Sequence, residues 1–151
     1  CMKIENEFVD YNTALALKEL GFDEPCFAIY NLGLSEFETA NIGQIRLFSS
    51  IFRIDDKQSN ISYINDKNTS KVTAPLYQQA FRWFREKYEL FGCIDLHVCT
   101  PSHWYIRIDK IKINDYLYHS EDENIRYNTY EEAELECLKK LIEIINESKK
   151  D

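Results

Sequence analysis

Cys93, His97, Cys99 and His103 set two thiols and two imidazoles within eleven residues. Thiolate and imidazole are the ligands zinc prefers, arranged as a tetrahedron. A thiol beside an imidazole is also the start of a Cys–His nucleophile. Spacing weakens both readings. There is no CxxC knuckle, and Cys93 stands about 13 Å from His97 along a straight strand. That leaves Cys99, His103 and His97, which do not complete a structural site. A nucleophile would find an orienting carboxylate in Asp95 or Asp109. It would find no glycine-rich segment or helix N-terminus nearby to stabilise an oxyanion. The expectation is therefore of no metal, no cofactor and no catalytic residue, and of a chain that is more a binder than an enzyme.

What these residues share is a side-chain parity. In Cys93–Cys99 the even positions are apolar (Ile94, Leu96, Val98). In His103–Asp109 they are again apolar (Trp104, Ile106, Ile108). A period of two marks a half-buried strand. Opposed residues of an antiparallel pair point to one face, so even must meet even. The connection must then be odd, either three residues (Thr100, Pro101, Ser102) or five. The three-residue loop pairs Val98 with Trp104, Leu96 with Ile106 and Ile94 with Ile108. On the other face it sets Cys99 beside His103, His97 beside Tyr105, Asp95 beside Arg107 and Cys93 beside Asp109. That odd face, with His97, Tyr105 and Arg107 at its centre and Cys99 and His103 at one end, is the candidate binding surface.

A second candidate lies on a helix. Arg82, Arg85 and Lys87 accompany Trp83 and Tyr88, a combination that can hold an anionic ring system by charge and stacking. Paired carboxylates at Asp55-Asp56 and Glu121-Asp122-Glu123 fall in expected loops. The four glycines form no phosphate-binding loop.

Three helices carry these elements. The first spans about Asp10 to Leu20, with Gly21 beyond its end and Phe22 folding back. The second begins near Pro75 and presents Tyr77, Ala80, Phe81, Phe84 and Tyr88 as a stripe. Gly92 is expected to stop it. The third begins at Thr129, with Glu132 three residues on as in a capping box, and runs to about Asn146. Strands are expected at Cys26–Asn31, Gln44–Ile54 (with a bulge at Ser49-Ser50) and Ile61–Ile64. The hairpin follows, with a bend after Asp109, and then Ile125–Tyr127. Residues 114–124 read as a polar loop. The class is α+β: one domain over 1–151, with an antiparallel sheet of four to six strands and the helices largely on one face. The order is α-β-β-α-β-β-α, with a weak αββ echo between about 10–54 and 75–113.

Composition narrows the function classes. Hydrophobic residues make up 44% and charged ones 29%, so disorder is not expected. The longest apolar run falls short of the roughly 18 residues that span a bilayer, and the first residues lack a signal-peptide pattern. A cytoplasmic location follows. Five cysteines in no framework spacing suit free thiols in a reducing compartment. Cys1 precedes Met2, which reads as a natural start. Net charge is −8, unevenly spread: 6 basic against 11 acidic residues in 1–70, 7 against 4 in 71–112, 5 against 11 in 113–151. Such a surface argues against binding nucleic-acid backbones. Only the central segment would welcome an anion.

Three stretches resemble segments of small phage- and prophage-encoded proteins of gut bacteria. They are ALALKELGFDEPCFAIY (Ala14–Tyr30), APLYQQAFRWFREKYELFG (Ala74–Gly92) and YNTYEEAELECLKKLIEII (Tyr127–Ile145), about a third of the chain. The group has no established activity. The resemblance implies a small accessory protein of a mobile element that works in the host cytoplasm by binding a host protein, for instance one of host defence. Its acidic ends would suit a basic partner. The alternative is sequestration of an anionic, nucleotide-like small ligand.

Overall fold

A computed structural model describes residues 4–31, 45–47, 71–97, 102–113 and 115–150. Expectations for Ile61–Ile64, for Val98 and Cys99, and for most of Gln44–Ile54 with its bulge lie outside those residues. The class is α+β as expected. Over residues 1–151, read from sequence as one domain, the chain forms two compact units, Cys1–Tyr77 and Gln78–Asp151. Among the described residues no helix is long and apolar enough to cross a membrane.

In the first unit, α1 (Tyr11–Glu19) begins where Asp10 Oδ1 accepts the Thr13 N–H at 3.2 Å. It ends as the Gly21 reading requires. Gly21 takes φ 91°, its N–H donates to the Lys18 carbonyl, and the Phe22 N–H donates to the Leu17 carbonyl. Phe22, Leu17 and Val9 are all buried. The sheet has order β2-β1-β3, with β1 (Ala28–Asn31) central between β2 (Ile45–Leu47) and β3 (Lys71–Ala74), all antiparallel. The Tyr30 O–H donates to the Val9 carbonyl at 2.7 Å and ties the strand to the segment leading into α1.

The second unit opens with α2 (Tyr77–Tyr88), which buries Ala80, Phe81, Trp83 and Phe84. Gly92 does not stop it. The turn is made by Glu89, at φ 58°, whose carbonyl accepts the Ile111 N–H and whose carboxylate meets Lys112. Gly92 sits inside the following strand. There β4 (Leu90–Leu96), β5 (Trp104–Lys110) and β6 (Asp115–His119) form an antiparallel sheet in that order. A 3-10 turn (Ser120–Glu123) leads on to α3 (Tyr130–Ser148). Thr129 caps α3 by accepting the Glu132 N–H at 3.1 Å, while Glu132 accepts the Asn128 N–H. The returning carboxylate thus reaches one residue further out than a standard capping box.

Parity in the hairpin is as expected, and the register is not. Leu96 lies opposite Trp104, Ile94 opposite Ile106 and Gly92 opposite Ile108. The connection is the five-residue one, closed by the His97 N–H donating to the His103 carbonyl at 3.0 Å. This slip of two residues keeps every side chain on its expected face. It also moves Leu96 to the last rung at the loop end, where it is exposed instead of buried. Leu90, Ile106 and Ile108 are buried on the even face. Phe81 of α2 and Cys137 and Leu141 of α3 close over the same face at Gly92.

Two further corrections concern the end of the sheet. Residues 114–124 are not simply a loop, since β6 lies within them. Its pairing with β5 shifts between Ile108 and Asp109, leaving Leu117 as the extra residue. Ile125–Tyr127 is not a strand, and contributes only a bridge between Tyr127 and Trp104. The αββ echo is one of element order. In the first unit the third strand joins beside the first; in the second it joins beside the second.

Candidate functional site

With α2 and α3 on the even face, the odd face of the second sheet carries the polar side chains. The strand pairs set them in rows across it. Cys93 lies opposite Arg107, which lies opposite His119. Asp95 lies opposite Tyr105. Phe91 lies opposite Asp109, which lies opposite Tyr116. Asp95 and Arg107 are therefore diagonal neighbours, and their contact survives the slip at 3.4 Å. Arg107 also holds Asp109, at 3.1 Å from Nε. Two carboxylates thus neutralise the one guanidinium at the centre of the face. These pairs are partly exposed and of small worth for stability.

Tyr105 is only 3% exposed. His97 stands 5.2 Å from its ring, and His119 stacks on it from β6 at 6.2 Å with 18° between the planes. The centre of the expected binding surface is thus a covered ring. Replacing Tyr105 would test packing before recognition. The two imidazoles also share a carboxylate. His97 Nε2 lies 3.9 Å from Glu121 Oε1, and His119 Nδ1 lies 4.0 Å from Glu121 Oε2. The Glu121 N–H donates to His119 Nδ1 at 3.3 Å.

His103 lies at the hairpin end, opposite His97, with its Nδ1 3.2 Å from Ser102 Oγ. Its expected neighbour Cys99 lies outside the described residues. Cys93 is a half-buried free thiol. Burial, and next the Asp95 carboxylate, push it up to about 11, against a smaller opposing pull from Arg107. Thiol nucleophiles need the reverse shift. Among the described residues no group of three His, Cys, Asp or Glu side chains is placed to hold a metal ion.

The helix candidate is not brought to this face. Trp83 is buried, and Lys87 Nζ lies 4.7 Å from its ring centre and 5.4 Å from that of Tyr88. The cation that would attract a ligand is already stacked on its own aromatics. Arg82 is 4.0 Å from Glu86 along the exposed side, and Arg85 lies half-buried on the same helix.

His119, Glu121 and Ser120 were not among the expected site residues. The run Asp115 to His119 has no clean alternation, because Tyr116, Leu117 and Tyr118 are three large side chains in sequence. Only the bulge at Leu117 makes them compatible with one strand.

Large apolar side chains lie exposed at the other end of the face. Phe91 (38%) and Tyr116 (54%) flank Asp109, and Leu117 (47%) follows in β6. No family model matches the chain, and comparison with curated proteins and with solved structures finds no match.

Proposed function

We propose that the chain is a non-catalytic accessory protein of phage or prophage origin that binds a host protein in the cytoplasm, using the odd face of the second sheet. The observation that supports this reading is the Phe91–Asp109–Tyr116 row. Two aromatic side chains stand exposed on a sheet face with a carboxylate between them. Exposed aromatics rimmed by polar groups are what protein partners use as anchors. The face carries Asp95, Asp109 and Glu121 against Arg107, and the turn adds Asp122 and Glu123. A partner with a basic contact surface complements it.

The anionic-ligand alternative draws less support. Arg107 is engaged by two carboxylates, and the Trp83 ring is buried beneath Lys87.

The test compares capture of host proteins by the wild-type chain with capture by Phe91→Ala/Tyr116→Ala. Anchor residues of this kind are worth at least about 1–2 kcal/mol each, so affinity should fall at least tenfold. Circular dichroism should show an unchanged fold, since both side chains are exposed. Undiminished capture by the folded variant would remove this face.

A further inference from the structure

His97, His119 and Glu121 form a second titratable cluster on this face, around Tyr105. His119 is the residue from which the 3-10 turn Ser120–Glu123 starts, with extended backbone at φ −138°, ψ 123°. Its ring does what Asn or Asp does at a helix N-cap. Nδ1 accepts the otherwise unpaired N–H of Glu121 at 3.3 Å. Such a bond requires a lone pair on Nδ1, so the ring must be neutral with its proton on Nε2.

We propose that His119 is a proton-operated latch on the acidic 3-10 turn. Protonation puts a hydrogen on Nδ1, and two donors then face each other. The turn loses its cap. The nearest acceptor becomes the Glu121 carboxylate, whose Oε2 already lies 4.0 Å from Nδ1. Its other oxygen lies 3.9 Å from His97 Nε2, so the same carboxylate is in place to answer a charge on either imidazole. The latch exchanges a backbone contact of Glu121 for a side-chain contact. Ser120 remains anchored to β5 in both states through its Oγ, which accepts the Ile106 N–H. The movement is therefore confined to the residues after Ser120.

The other groups facing His119 set the balance. Arg107 lies directly opposite it in β5 and opposes a second positive charge. Asp95 and Asp109 hold Arg107 and soften that opposition. Tyr105 and Tyr116 lie against the ring at 6.2 and 6.3 Å and offer aromatic surface without charge. The turn's three exposed carboxylates would be presented differently in the two states. This device stands apart from the docking reading, because it needs no partner.

The measurement is the Glu121 amide resonance of the whole chain, followed by NMR from pH 8 to pH 5. Glu121→Gln serves as the background, so that titration of that carboxylate cannot mimic the effect. The amide should shift with the same midpoint as the His119 ring, and its protection against hydrogen exchange should fall at least severalfold on the acidic side. In the Glu121→Gln/His119→Asn double variant the cap acceptor is an amide oxygen that does not titrate, and the shift should vanish while protection persists. A Glu121 amide that ignores the His119 titration, in wild type and in Glu121→Gln alike, would overturn the latch. So would an undiminished shift in the double variant. If a variant fails to fold, the wild-type chain still decides: a Glu121 amide midpoint that follows the His119 ring supports the latch, and one that departs from it overturns it.

Discussion

The Ile106 N–H, in the middle of β5, donates to Ser120 Oγ at 3.1 Å, with both residues fully buried. The strand β6 has ended one residue earlier, at His119. A side-chain hydroxyl takes over as ladder acceptor where the backbone has turned away. Ser120→Ala leaves a buried N–H without a partner, which costs about 1–3 kcal/mol. Urea unfolding should show a lower midpoint with an unchanged slope. An unaltered midpoint would mean that water or a shifted backbone replaces the hydroxyl at no loss.

Gly92 makes a second test of the same sheet. A Cβ placed there would lie 2.9 Å from Cys137 Sγ and 3.1 Å from both Leu141 Cδ1 and Phe81 Cε1. Those three side chains come from two helices, and all three are buried. Gly92→Ala should destabilise by about 1–3 kcal/mol through overpacking. Cys137→Ala removes the closest obstacle, so the double variant should be less unstable than the sum of the singles. Strict additivity in that cycle would show that the strain is relieved elsewhere.

The same residue shows how far the sequence could be read. A glycine after an apolar helix reads as a stop, but here the left-handed position is taken by Glu89, and the glycine serves helix–sheet contact instead. The local pattern does not distinguish those two uses. Parity was legible in the hairpin because it is a property of each strand alone. The register depended on the loop, and three or five residues satisfy the same parity. The Asp95–Arg107 contact survived because a long guanidinium reaches a diagonal neighbour as well as an opposite one. The candidate site was half legible for the same reason: His97, Tyr105 and Arg107 share a face as parity requires. That Tyr105 is covered depends on His119, from a strand whose bulge hides it from any period-two reading.

Thr129 and α3 give a prediction that rests on one hydrogen bond. Thr129 Oγ1 accepts the Glu132 N–H in a solvent-exposed cap. Thr129→Ala should cost about 1 kcal/mol, and Thr129→Asp or Asn should cost little or nothing. Equal losses for Ala and Asn would show that the hydroxyl is not acting as the cap acceptor.

The last prediction concerns alkaline pH. Burial holds the Cys93 thiol at about 11, against an ordinary value of 9.0. The same cause lifts the Tyr30 hydroxyl from 10.0 to about 12, with Asp10 adding to it. In both cases the folded state favours the protonated form, so the unfolded chain releases its proton first. Stability from Cys93 is complete below about pH 9 and drains away between about 9 and 11. The contribution of Tyr30 drains between about 10 and 12. The urea midpoint should therefore fall progressively above pH 9. Cys93→Ser, which titrates nowhere in this range, should lessen the first part of the fall, to which the buried Cys137 thiol, also pushed up by burial, contributes as well, and leave the later part. Reactivity gives an independent reading of the same thiol. Two units of pKa mean about a hundredfold less thiolate at pH 8, so iodoacetamide should label Cys93 in the folded chain about that much more slowly than a model peptide. Labelling at the peptide rate, with the fold intact, would show that the thiol is not held down, and the alkaline fall in stability would then need another source.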